Sequence, residues 1–268
     1  MLLEQFKGFY RTPPLWKARQ FGVYQFDFPR LSFEGFSPKR IPENLRLGHQ
    51  TEHIFEQLIT HEGSYQLMMQ NQPIRVQKNT IGEIDFILKR IRTGGFYHVE
   101  LTYKFYIVDP TISEPVHRLM GPNRRDMFFT KLEKIKNEQL PLVQNQETIN
   151  ILDKNGIKPE FLTQQVCFKA QIFRPYAEKT VHIRPLDPKC VVGYWLRFEE
   201  FERSGFEPLQ FYIPFKKEWA IAPHLDVTWK SHWETCMEIN LRMIQKNAPM
   251  VWVRKANDVL EKCFVVWW

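Results

Sequence analysis

Between Leu47 and Ile59 the apolar positions recur at three- and four-residue steps. Leu47, Thr51, Ile54, Phe55, Leu58 and Ile59 fall on one stripe, which predicts an amphipathic helix with Glu52 and Glu56 together on a second line. The period then shortens to two. Pro73 to Lys78, Gly82 to Leu88 and Gly95 to Val108 alternate and are rich in β-branched and aromatic residues, which predicts three strands, the last two joined by a hairpin through Thr93-Gly-Gly95. Helical spacing returns in Gly121 to Leu140: Gly-Pro-Asn makes a turn with an N-cap, and Phe128, Leu132, Ile135 and Gln139 form the inward line of a helix that stops before Pro141. A polar linker leads to a further alternating strand, Gln165 to Phe173. The order is helix, three strands, helix, strand.

The flanks have a different texture. Residues 1–46 carry four phenylalanines between Phe26 and Phe36 and prolines at 13, 14, 29, 38 and 42, which predicts an irregular covering segment. Residues 47–175 form the predicted core. From 176 to 268 the chain holds seven of its eight tryptophans, with strands expected at Tyr194 to Phe198, Leu209 to Ile213 and Met250 to Arg254 and a helix within Leu225 to Ala248. Tryptophans at strand positions read as core more readily than as base-stacking platforms. The whole is expected to be an α/β (α+β) protein with an aromatic-rich C-terminal extension packed on the core.

Composition narrows the partner. The 268 residues are 43% hydrophobic and 25% charged, which excludes disordered and low-complexity classes. Lys+Arg 37 against Asp+Glu 30 gives +7, and the excess is uneven: 24 basic against 18 acidic residues lie up to Pro175, and 13 against 12 after it. An anionic partner such as nucleic acid would therefore meet the first two-thirds. The longest apolar run, Cys263 to Trp268, is far short of the roughly 20 residues of a membrane span, and the first residues lack a signal-peptide core, so the expected location is cytoplasmic. Cys167, Cys190, Cys236 and Cys263 match no zinc spacing and are expected reduced.

The candidate chemistry is acidic. Strand alternation puts His98, Glu100, Thr102 and Lys104 on one face of the third strand, and Glu83 with Asp85 on one face of the second, opposite Ile84 and Phe86. Antiparallel pairing through the glycine turn brings Asp85 beside Glu100, a place for a hard divalent cation with Lys104 nearby and Glu52 or Glu56 as a further ligand. The alternative is a hairpin face carrying weak ion pairs. The following segment, Arg118 to Lys136, holds six basic residues, among them Arg124, Arg125, Lys131 and Lys134. They would contact a phosphate backbone or form a solvated helix face. His98 reads as a polar neighbour of the site, and His49 and His53 as helix-surface residues.

The element order with Asp85, Glu100 and Lys104 resembles the PD-(D/E)xK nuclease superfamily. "LGHQTEH", "GEIDFIL", "HVELTYKFYI", "MGPNRRDMFFTKLEKIKNEQLPL" and, later, "FYIPFKKEWAIAP" resemble a bacterial family of unknown function assigned to that superfamily, over nearly the whole chain. The resemblance implies a restriction-endonuclease-like core, with Asp85 and Glu100 as metal ligands and Glu52 as the acid of the first helix. The motif departs at two positions: Ile84 stands where proline precedes the aspartate, and Thr102 where the lysine stands. Lys104, or Lys131 on the second helix, would supply that lysine, with Gln139 beside the site. The expected function is a Mg²⁺- or Mn²⁺-dependent phosphodiesterase acting on DNA or RNA, with Lys104 beside the attacking water and Glu52 as supporting acid. Its rivals are a degenerate nucleic-acid binder that does not cleave, and a scaffold forming a homo-oligomer or binding protein through its aromatic C-terminal part.

Overall fold

A computed structural model describes residues 1–203 and 205–268. The chain opens with helix α1 (Leu2–Arg11) and a small hairpin, β1 (Arg19–Gln20) and β2 (Val23–Tyr24). Helix α2 (Leu47–Glu62) leads into three long strands, β3 (Tyr65–Val76), β4 (Asn79–Arg90) and β5 (Phe96–Val108). After β6 (Leu119–Met120) come α3 (Phe128–Lys134), α4 (Gln146–Lys154) and β7 (Leu162–Pro175). The remainder forms β8 (Val191–Arg197), α5 (Phe198–Arg203), β9 (Gln210–Tyr212), α6 (His232–Ile244), β10 (Met250–Arg254) and β11 (Leu260–Val266).

One nine-stranded mixed sheet runs through both predicted parts in the order β3-β4-β5-β7-β8-β11-β10-β9, with β6 paired to β5. Its centre is parallel, β5 to β7, β7 to β8 and β8 to β11, and its flanks are antiparallel. A parallel centre must be covered on both faces, and it is. The α2 stripe Ile54, Phe55, Leu58 and Ile59 packs with Val99, Leu101, Tyr103 and Phe105 on one face. On the other, Phe128, Leu132 and Ile135 pack with Tyr106, Phe168 and Ala170.

The predicted strands and helices form, with differences in extent: the first strand starts at Tyr65 and not at Pro73. The covering segment is not irregular throughout: Phe6 and Phe9 of α1 are fully buried, and Gly8 lies so close to the Ala220 backbone that a Cβ there would stand 2.3 Å from Ala220 O. With no side-chain cap at Met1, the sequence carried no start signal for this helix. The helix expected over Gly121 to Leu140 begins only at Phe128, because Met120 pairs with Met127 and Gly121 N donates to Asp126 O at 2.6 Å, folding the intervening residues into a loop. It then widens into a π-helical turn, Ile135–Gln139, and a 3-10 turn, Leu140–Gln144, that takes Pro141 in its first positions. The polar linker holds α4, capped by Asn145 accepting from Glu147 N at 3.0 Å. Cys263 to Trp268 mostly forms β11, and the helix expected within Leu225 to Ala248 starts at the Ser231–Glu234 capping box. Trp195, Trp219 and Trp252 are core as expected, whereas Trp233 is exposed. The four cysteines are free. No helix among the described residues is long and apolar enough to cross a membrane.

Candidate active site

The site begins where a ladder ends. β4 and β5 pair antiparallel from Lys89 and Phe96 up to Phe86 and Val99, and no further. At the next position the Asp85 Oδ2 accepts a hydrogen bond from Leu101 N at 2.8 Å, so a side-chain oxygen satisfies a backbone donor where the ladder has stopped. The two-residue period slips at the same place. Ile84 packs with Ile87 beneath the Leu142–Val143 turn, while Phe86 and Leu88 pack under α2, so Ile84 and Phe86 do not share the face that strict alternation assigned them.

Glu100 is buried on β5 with both oxygens engaged: His98 Nε2 lies 2.8 Å from Oε1, and Gln139 Nε2 donates to Oε2 at 2.6 Å. Gln139 in turn accepts from Lys131 Nζ at 2.8 Å through Oε1. A polar chain thus runs from β5 through the π-helical turn to α3. The π turn matters here because it resets which residues of the helix face the sheet. His98 is the polar neighbour expected of it, and its Nδ1, like the Thr102 hydroxyl, is buried without a hydrogen-bond partner among the described residues.

The electrostatics follow from burial in a small space. Burial raises the Asp85 carboxyl well above the usual carboxylate range, the charge of Glu100 adds to the rise, and the Leu101 N–H opposes it. Burial also raises Glu83, with Glu52 and Glu100 contributing. Lys131 is pushed below the ordinary lysine value by burial, against the pull of Asp85 and Glu100. The cation that couples to the two acids is therefore Lys131. Lys104, expected beside them, instead binds Asp126 Oδ2 at 2.5 Å.

Asp85, Glu52, Thr102, Lys104, Lys131 and Gln139 line one open cavity of about 550 Å³. Glu52 faces it from α2, held by Asn71 Nδ2 at 2.8 Å and His49 Nδ1 at 3.1 Å. Glu100 stands behind the wall. Sequence reasoning missed four polar or aromatic residues of the lining: Asn123 and Asp126 from the loop before α3, and Lys216 and Trp219 from the C-terminal part. The last two lie within "FYIPFKKEWAIAP", a segment noticed for resemblance and not for chemistry. Of the basic candidates, Arg125 lines the cavity and Lys134 is exposed on α3, whereas the Arg124 guanidinium lies over the Trp268 ring at 3.8 Å.

The donor set is that of a hard cation with few protein ligands. Among the described residues no three His, Cys, Asp or Glu side chains converge into a cation cage. Asp85 offers an oxygen that accepts no hydrogen bond among those residues, Glu100 has carboxylate lone pairs beyond its two bonds, and Thr102 leaves a hydroxyl unpartnered. Mg²⁺ is characteristically held by one or two carboxylates, with water and substrate oxygens completing its shell. The residues present fit such an ion.

Fold and cavity together define a mixed α/β protein whose central sheet opens into a pocket of carboxylates and lysines. The model of the family described as "Domain of unknown function (DUF1853)" matches residues 36–266, and the chain belongs to that family. A search of curated proteins and a search of solved structures returned no match.

Proposed function

We propose that the protein is a divalent-metal-dependent phosphodiesterase acting on nucleic acid, with a core of the PD-(D/E)xK type in residues 47–175. The observation that carries the reading is the single cavity holding Asp85 and Lys131, with Glu100 coupled to both and Gln139 bridging Glu100 to Lys131. The sequence of α2, the β3–β5 meander, the α3 crossover and parallel β7 supports the core assignment.

Mg²⁺ or Mn²⁺ held by Asp85, and by Glu100 once its carboxylate turns from His98 or Gln139 into the cavity, would lower the pKa of a bound water and neutralise phosphate charge. The chain's own groups do the rest. Lys131, its amine eased toward neutrality by burial, takes or orients a proton of the attacking water, the role that Thr102 is unable to fill from the strand. Gln139 fixes the Lys131 ammonium against Glu100. Lys104, steadied by Asp126, together with Arg125 and Lys216, receives the phosphate backbone.

Purified protein incubated with plasmid, linear duplex and single strands in Mg²⁺ or Mn²⁺ tests the reading. Cleavage should fall by about 100-fold or more in Asp85→Asn and in Lys131→Met. Activity unchanged in both sinks the site assignment. The rival, a binder that does not cleave, is favoured by Thr102 at the lysine position and by the two bonds that already occupy Glu100. Salt-sensitive binding without cleavage, indifferent to both substitutions, would establish it.

A further inference from the structure

Helix α6 shows an apolar face to solvent. Trp233, Met237, Leu241 and Ile244 recur at steps of four, four and three, and are 71%, 54%, 67% and 77% exposed. The opposite face is the buried one, with Thr235 and Ile239 inside and Cys236 and Met243 packed on the cluster of Tyr194, Phe201 and Phe211. The stripe is therefore not the face that folding needs. At about 200 Å² for a large side chain the four expose roughly 500 Å², the upper range for a monomer's largest apolar patch.

We propose that this stripe is a homodimer interface, in which α6 packs antiparallel on α6 of a second copy about a two-fold axis. Two such faces, fully covered, bury on the order of 1,000 Å² from these residues alone, the floor for a biological interface, which the flanking residues would raise. The pattern is also self-complementary. About an axis near Ile239, Met237 meets Leu241 of the other copy and Trp233 meets the turn holding Ile244. The charges follow: α6 carries Glu234 in its first turn, and Lys246 follows its end. Antiparallel pairing sets each Glu234 near the other copy's Lys246, and opposes the helix dipoles favourably, whereas parallel pairing would set like charges together.

Sedimentation equilibrium of the full chain tests it. The wild type should dimerise with concentration, and Leu241→Glu and Trp233→Glu, both at exposed positions, should be monomeric with unchanged circular dichroism and melting cooperativity. Substitution at exposed Val76, on β3, should leave the dimer intact. A wild type that is monomeric up to roughly 1 mM overturns the proposal, as does a dimer that survives both α6 substitutions. A monomer that instead co-sediments with phosphatidylcholine–phosphatidylglycerol vesicles through the same residues overturns it in favour of a lipid surface.

Discussion

Lys262 of β11 is buried, and its ammonium donates to Gln171 Oε1 at 3.0 Å and Trp219 O at 2.9 Å, with no carboxylate bonded to it among the described residues. Burial alone pushes this amine down to about 7 from its ordinary 10.5. Between those two values the unfolded chain binds a proton that the folded chain does not, so stability rises with pH across that window. The cost of the buried charge is about 4 kcal/mol near pH 7 and about 2 kcal/mol near pH 9. Lys262→Met removes the titration, and with it two hydrogen bonds whose acceptors, left buried, cost about 1–3 kcal/mol each. The substitution should thus be close to neutral, or stabilising, near pH 7. By about pH 9 the wild type should have gained roughly 2 kcal/mol on the variant. Urea unfolding of both proteins across this range, at fixed ionic strength, measures the difference directly. A difference that stays flat with pH would refute the reasoning, because it would mean that Lys262 keeps its proton in the folded protein.

Other expectations concern the cavity. Asp85→Asn keeps the Leu101 N–H bond through the amide oxygen and removes a charge that burial and Glu100 disfavour, so without metal it should raise stability at neutral pH. Because the folded Asp85 pKa is raised, its contribution is present at acid pH and lost as pH rises through that value. The wild type should therefore lose stability on going from acid to neutral pH more steeply than the variant, as thermal melts would show. Gln139→Leu unties Lys131 from Glu100 and should depress the rate of cleavage more than substrate binding, read as a fall in kcat at nearly constant KM. Arg125→Ala should weaken nucleic-acid binding and lower the salt slope by about 1. Arg124→Ala should leave binding unchanged and cost about 0.5–1 kcal/mol of stability through the lost stacking on Trp268, as measured by fluorescence titration and urea melts.

Local patterns made α2, β4, β5 and β7 legible, because these elements are amphipathic or β-branched at their own periods, whereas β6, α4 in the polar linker and the late start of α3 left no such periodicity. What was illegible depends on distance. The burial of α1 is set by Ala220, more than two hundred residues away, and α1 begins without a capping side chain. The joining of β11 to β8 depends on parallel pairing, which leaves no turn signal. The same limit applies at the site. Asp85, Glu100 and Glu52 stood out by type and spacing, but strand alternation favoured Lys104 as the lysine of the site, whereas Asp126 holds Lys104 and Lys131, expected chiefly on the phosphate backbone, stands with the acids. Lys216 and Trp219 reach the cavity only through the C-terminal half of the sheet.

One strand divides the work of folding from the proposed work of the site. β5 is paired along its length with β7, from Phe96 with Leu162 to Ile107 with Phe173, and this side anchors the core. On its other side it pairs with β4 only through Val99 and with β6 only from Ile107. Leu101 to Phe105 lie in the interval, and all five line the cavity. An uncovered strand edge is ordinarily a liability to aggregation. Here the start of α2, the Gly121–Asp126 loop and the Lys216–Trp219 segment close around it. Restoring regular β4–β5 pairing past Val99 would stabilise the sheet, yet it would withdraw Asp85 from Leu101 and fill the space in which a phosphate could meet Lys131. The gap in the ladder is therefore where the fold exchanges a few backbone hydrogen bonds for an open pocket of carboxylates and lysines.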